Sequence, residues 1–381
     1  VASRKATVLG VVAVAASAAL MAGCILDLES LTQGSAEGGG GSGGSGGSWG
    51  SGGSGGSGGG FGPCGGAGCS KPCEVTKGLD AHALLLDGGG RLYASSRQYN
   101  FIARIDLSTG TFDHFVKQTS APEAMAITAG NLVWVDADGV WACPLVSDDC
   151  VVDRAPLHKV QGDKRVRGLA VDAQYAYFAE DDTAAPSGGR ILRCPVAAGC
   201  ALQPQEIATA QAHPSAVVLE GDTLFWTQRG EGPQFGRVSR APKGGGMQVD
   251  MAANLVFPGS ITRFADQVLW AEETDGDMWP GGVSRCLATS SHCTPTTVVT
   301  GIGQPQSARI DDPVGVVTDG KRIYFANNGS GTLMACEYPS CTARPKVLFD
   351  DVEAPQGTAL GEACVYVTDR SHTGRIIAVP K

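Results

Sequence analysis

Residues 222–245, DTLFWTQRGEGPQFGRVSRAPKGG, hold two short runs of β-branched, aromatic and aliphatic residues, LFWTQ and RVSRAP, on either side of a glycine-rich loop. Neither run is long enough for an ordinary helix, and Asp, Gly and Pro stand at their ends, so each reads as a strand. The pair recurs as RLYASS with FIARIDL, NLVWVDAD with GVWACPL, YAYFAEDD with RILRCPV, QVLWAEET with GVSRCLA, RIYFANNG with TLMACEY, and CVYVTDRS with RIIAVPK. A further run precedes each pair, often after proline: AHALLL, APEAMAIT, VRGLAV, HPSAVVL, FPGSITR, DPVGVVT and APQGTAL. The period is roughly 40 to 45 residues. Seven copies can be counted.

A repeat of that length built from short strands is one blade of a β-propeller. The expected fold class is all-β, a seven-bladed β-propeller, with six or eight blades as alternatives. LFWTQ and VYVTD, followed by RIIAVP or RVSRAPKGG, resemble the YWTD and NHL repeats of bacterial and extracellular propellers over residues 80–381. That resemblance implies the fold and names no function. Those families often carry six blades, where this chain counts seven. The last copy stops after its third strand, at Lys381, which would leave a raw sheet edge. CEVTKGL (Cys73 to Leu79) is expected to fill that place as the outer strand of the last blade. Trp134, Trp226, Trp270 and Tyr324 stand at alternating positions of second strands and read as packing between blades.

The region before the repeats has a different character. Arg4 and Lys5 precede the apolar run VLGVVAVAASAALMAG, a signal-peptide pattern too short for a stable membrane span. LMAGC, with small Ala22 and Gly23 before Cys24, resembles a bacterial lipobox, although Met21 stands where leucine is usual. That resemblance implies a lipoprotein signal peptide over 1–23 and a diacylglyceryl group on Cys24. It also implies a membrane anchor in the bacterial cell envelope, at the outer membrane because Ile25 gives no inner-membrane retention signal. The alternative is ordinary cleavage after small residues with Cys24 incidental. Residues 24–33 then form the lipidated segment. Residues 34–63 form a Gly/Ser tether, whose random coil spans roughly 30 Å root mean square. Residues 64–381 form the propeller with a short Cys-rich leading segment.

A formal charge of −9 and the lack of any Lys/Arg block exclude nucleic acid as the expected partner. The chain has 13 cysteines. Four pairs flank a turn between third and outermost strands: Cys143–Cys150, Cys194–Cys200, Cys286–Cys293 and Cys336–Cys341. Facing positions in adjacent strands fall within disulfide reach. Such bonds belong to an oxidising compartment, hence an exported chain. Each closes a small loop, for about 2 to 2.5 kcal/mol of chain entropy. The pairs lie on separate blades and lack zinc-ribbon spacing, so no metal-thiolate site is expected. Setting Cys24 aside leaves an even number, and Cys64, Cys69, Cys73 and Cys364 allow three connectivities. Cys73–Cys364 with Cys64–Cys69 is expected, because it would staple the closing strand to the final blade.

Loops entering first strands and loops joining second to third strands share one face of a propeller, the face that often holds ligands. Three consecutive second-to-third loops are long: EDDTAAPSGG, QRGEGPQFG and EETDGDMWPGG. The candidate ligand-binding residues on them are Glu180, Asp181, Arg229, Glu231, Phe235, Glu272, Glu273, Asp275 and Trp279. An aromatic among carboxylates suits a protein, peptide or glycan, bound without catalysis. One alternative is a funnel enzyme, a lyase or hydrolase, with His213 as base and Glu123 or Glu272 as its partner. Another is a structural envelope component. DADG and ETDGDMW resemble calcium loops faintly, and no other cofactor is expected.

Overall fold

A ring of seven four-stranded antiparallel sheets, twenty-eight strands in all among the described residues, makes up the chain. The structure, a computed structural model, describes Cys64 and residues 69–381 except 148–149, 151–153, 201–202, 274–280, 301–309, 311, 340, 342–343 and 372–373. The signal segment, Cys24 and the tether lie outside the described residues.

The first strand of each blade lies innermost. These are β2 (Ala83–Leu86), β6 (Met125–Thr128), β10 (Lys164–Val171), β14 (Pro214–Glu220), β18 (Pro258–Phe264), β22 (Pro313–Thr318) and β26 (Thr358–Leu360). Each packs on the inner strand of the next blade, and β26 returns to β2, so the ring is closed. Backbones crowd at the axis. A Cβ on Gly168 would stand 2.3 Å from the Ser215 carbonyl oxygen of the next blade, and one on Gly357 2.5 Å from that of His82. The pairing of β10, β14, β18 and β22 with their neighbours shifts register at the same relative place. Such bulges bend a strand and re-aim its side chains.

Closure follows the expected route. The seventh blade is ordered β26, β27 (Cys364–Asp369), β28 (Arg375–Pro380), then β1 (Cys73–Lys77), with Cys73 opposite Ala378 and Lys77 opposite Arg375. The two ends of the repeat region thus share one sheet, and β1 covers the edge of β28 and completes the blade to four strands like the others.

The core is divided into seven wedges, one between each pair of neighbouring blades. Tyr177 and Ala179 meet Leu224 and Trp226 between the third and fourth blades. Trp134 and Trp270 fill the place of Trp226 between blades one and two and four and five, while Tyr324 takes that of Tyr177, facing the following blade, between blades six and seven. All four large aromatics are fully buried. Burial is continuous along second strands such as Leu224 to Gln228. A strand in the middle of a blade has a neighbouring blade on each face, so both its faces are dry. Hydroxyls tie the wedges together. Thr227, in β15 (Thr223–Gln228), accepts from the Ala216 amide at 3.1 Å and donates to the Gly259 carbonyl of the next blade at 2.9 Å.

Six disulfides staple this ring. Cys143–Cys150, Cys194–Cys200, Cys286–Cys293 and Cys336–Cys341 pair as the spacing predicts. The second cysteine of each pair, however, lies in the connection rather than in the outer strand. From there two of them reach the preceding blade: Cys200 donates its N–H to the Leu157 carbonyl at 2.8 Å, and Cys293 to that of Met251 at 2.7 Å. The other four cysteines correct the sequence expectation, because the bonds are Cys64–Cys73 and Cys69–Cys364. The reason is sheet order. Strand β28 lies between β1 and β27, so Cys73 and Cys364 begin strands two places apart. Two inter-strand steps amount to roughly 9.5 Å, beyond disulfide reach.

Candidate functional site

Strand β11 (Tyr175–Asp182) ends in three consecutive carboxylates, Glu180, Asp181 and Asp182, and a strand sends neighbours to opposite faces. Glu180 turns toward the second blade. Its Oε2 contacts His158 Nε2 at 3.0 Å, and its Oε1 accepts from Arg190 Nη2 at 2.5 Å and lies 3.3 Å from Lys164 Nζ. Burial opposes ionisation here, but His158, Arg190 and Lys164 outweigh it and hold the carboxyl down at about 2. Glu180 is buried and saturated, so it anchors two blades and presents nothing to a ligand.

Asp181 turns the other way and is also fully buried. Its Oδ2 accepts from the Nε–H of both Arg165 (3.3 Å) and Arg167 (3.2 Å), two residues of the innermost strand β10. Its Oδ1 contacts Nδ1 of His213, on the loop into β14, at 3.0 Å. The arginine side chains remain 43% and 26% exposed and His213 27%. The cluster therefore opens at the axial mouth between the third and fourth blades. The partner of His213 is Asp181, not Glu123 or Glu272. Glu123 instead pairs with Arg97 at 3.1 Å.

Glu272 belongs to a recurrent structural device. Its Oε2 accepts the backbone N–H of Val256, sixteen residues earlier, on the loop into the same blade. Asp136 does the same for Ser120, Gln228 for Ala212 and Asp369 for Glu353 at the same separation. The polar residue closing each of these second strands thus caps the incoming loop. Asp136 also accepts the amides of Asp138 and Gly139 and the Trp141 indole N–H. In DADG this carboxylate is therefore taken up by the chain's own donors, and it reads as a turn cap.

The other rim candidates are distributed as follows. Arg229 forms a two-pronged pair with Glu273, with Nη2 to Oε2 at 2.7 Å, and its guanidinium lies over the Phe257 ring. Glu231 accepts from Ser187 Oγ at 3.2 Å, so the first two long loops touch. Phe235 is 68% exposed. Asp275 and Trp279 lie outside the described residues.

Across the mouth, His82 Nε2 lies 3.2 Å from Arg97 Nη1, while Arg370 binds Asp80 at 2.8 Å. Burial first, then the positive charges of Arg97 and Arg370, push the His82 imidazole down to about 4. It is neutral at neutral pH and accepts from Arg97, which occupies its lone pair. A cavity of about 440 Å³ lies at the outer rim, lined by Tyr99, Phe101, His114 and Lys117 among others, and one of about 200 Å³ lies on the sixth blade; neither touches His213. Among the described residues no group of three or more His, Cys, Asp or Glu is arranged to hold a metal ion.

Sequence reading passed over Arg165 and Arg167. Their signal is the RVR spacing in an inner strand, which sets two cations close together beside the axis and calls for a buried counter-charge.

No family model matches the chain, and no curated protein matches it. Solved structures do. Hydrazine synthase of Kuenenia stuttgartiensis is similar with a TM-score of 0.62 and 13% identity, over 81% of this chain and 96% of that one. Virginiamycin B lyase from Staphylococcus aureus is similar at 0.60 and 14%, over 82% and 99%. The computationally designed Ika8 protein is similar at 0.55 and 12%, over 80% and 98%. At these identities the likeness is one of fold alone.

Proposed function

We propose that the chain is a cell-envelope lipoprotein, anchored through Cys24 and held off the membrane by the 34–63 tether. In this reading its propeller binds a protein, peptide or glycan without catalysis, on the face formed by the second-to-third-strand loops. The observation that carries the reading is the separation of two faces. Strand directions put all six disulfides on one face, including Cys64 and Cys69 where the tether joins. The opposite face holds the long loops, exposed Phe235 and the Arg165–Arg167–Asp181–His213 cluster. A tether on the stapled face leaves the loop face directed away from the attachment point. Twelve bonded cysteines support an oxidising, exported location.

The test is to shorten the loops at 183–188 and 230–235 and compare cross-linked capture from native envelope. The expected outcome is loss of specific partners while the melting curve holds. Identical capture by the shortened chain would sink the reading. Detergent partitioning of Cys24→Ser tests the anchor, with release into the aqueous phase expected.

One observation favours a second reading, an acid–base enzyme of lyase or hydrolase type. Asp181 orients His213 through Nδ1 and leaves Nε2 directed elsewhere, the arrangement of a positioned base. Under that reading His213→Gln abolishes turnover of a bound compound and preserves its binding. Under the binding reading no turnover exists to lose.

A further inference from the structure

Among the described residues, charges at the axial mouth are matched by partners of opposite sign, with one exception. Arg229 has Glu273, Arg370 has Asp80, and Arg97 has Glu123. Lys164 and Arg190 share Glu180, and Arg190 also reaches Glu206. Among the described residues, Arg165 and Arg167 together have only Asp181. Two guanidinium charges therefore face one carboxylate, and a positive charge is left over.

The geometry directs that surplus outward. Asp181 engages both arginines through Nε–H and uses the same oxygen, Oδ2, for each. An arginine has five N–H donors in a planar fork, so the two Nη amino groups of each side chain remain for another acceptor. Asp181 is fully buried and fixed from its other side by His213, so the two forks are held side by side before any ligand arrives. Their spacing is set by one shared oxygen. Planar forks match a planar two-oxygen acceptor, which a carboxylate supplies.

We propose that Arg165 and Arg167, clamped by Asp181, form a receptor for a carboxylate group of the ligand. This rests on the reading of the loop face as a binding surface and names the chemistry bound there. Asp181 is a positioning residue, and His213 fixes it in turn.

The test uses the full chain and four small probes: an acetylated tripeptide with a free C-terminal carboxylate, the same tripeptide as its amide, glucuronate, and inorganic phosphate. Binding is read by calorimetry and by NMR shifts of the arginine side chains. A carboxylate is expected to bind with perturbation of the Arg165 and Arg167 signals, and the amide to bind at least about tenfold more weakly, as loss of a charge-assisted hydrogen bond implies. Whether the tripeptide acid or glucuronate binds more tightly tells which carrier the site takes. Arg165→Gln combined with Arg167→Gln should abolish the difference between acid and amide; because it leaves Asp181 buried without its two cations, a lowered melting temperature is expected, and binding is read on the folded variant below it. Arg165→Lys, which keeps the charge and loses the fork, should recover only part of it. Equal binding of acid and amide, tighter binding of phosphate, or full binding by the double variant would overturn the proposal. No binding of any acid would also overturn it, while loss of partner capture on loop shortening would leave the broader reading standing.

Discussion

Glu180 and Asp181 are neighbours in the sequence and have different roles, because strand geometry sends one toward the second blade and the other toward the fourth. Glu180 has a stability consequence. Its carboxyl sits at about 2 in the fold against an ordinary 4.5. A depressed folded value means the unfolded chain takes up a proton first as pH falls. The stabilisation is therefore complete above about pH 5 and is lost as pH drops toward 2, for a total of about 3 kcal/mol. Against burial, hydrogen bonds and neighbouring cations also hold the Asp172, Asp250 and Asp319 carboxyls below their ordinary value, so the comparison needs a variant. Urea unfolding of the parent should lose more stability between pH 5 and pH 3 than Glu180→Gln does. Parallel curves for the two would show that Glu180 is not the group responsible. Asp181 shows the limit of reading a site from the chain. Its acidic neighbourhood is plain in the sequence, where it reads as part of a long loop although the strand β11 includes it, whereas its use as a clamp for two arginines depends on side chains brought in from β10 and the loop into β14.

At the scale of the strand and blade, the same sixteen-residue link between a closing polar residue and the incoming loop serves four blades with Asp, Gln or Glu in the capping role. These side chains are different acceptors doing one task. Strand content, order and turn positions were legible, since they depend on local residue type and turn chemistry. The caps were not, because an acidic residue at a loop margin has the same letter whether it faces a ligand or a backbone amide. Glu272 was therefore read as a rim residue. A second element-scale device is the Thr227 hydroxyl, which bridges its own inner strand and that of the next blade. Thr227→Val keeps the shape and leaves a buried amide and a buried carbonyl without their partner. Denaturant unfolding should show a loss of about 1 to 3 kcal/mol. A change within a few tenths would mean the hydroxyl contributes nothing to the clasp.

At the scale of the whole molecule, stability depends on holding the two ends of the repeat region in one blade. Cys69–Cys364 spans 295 residues of sequence, whereas Cys143–Cys150 spans 7. In the chain-entropy account the long closure is worth about 5.7 kcal/mol and the short one about 2.5 kcal/mol. Replacing Cys69 and Cys364 by serine together should lower the unfolding free energy by roughly twice as much as replacing Cys143 and Cys150. Equal losses would mean the seam is held by β1 pairing and packing alone.

The seven blades, their strand order, the closing strand and the four hairpin disulfides could all be read from the chain by itself. Each rests on residues close in sequence, on the repeat, or on the need to cover a sheet edge. Only the folded ring decided that Cys73 could not reach Cys364, that Glu180 and Glu272 are spent inside the structure, and that Arg165, Arg167 and His213 converge on Asp181. Those outcomes depend on which strand lies between two others and on which face a side chain leaves its blade. Such relations join blades across the packed wedges, where no sequence period records them.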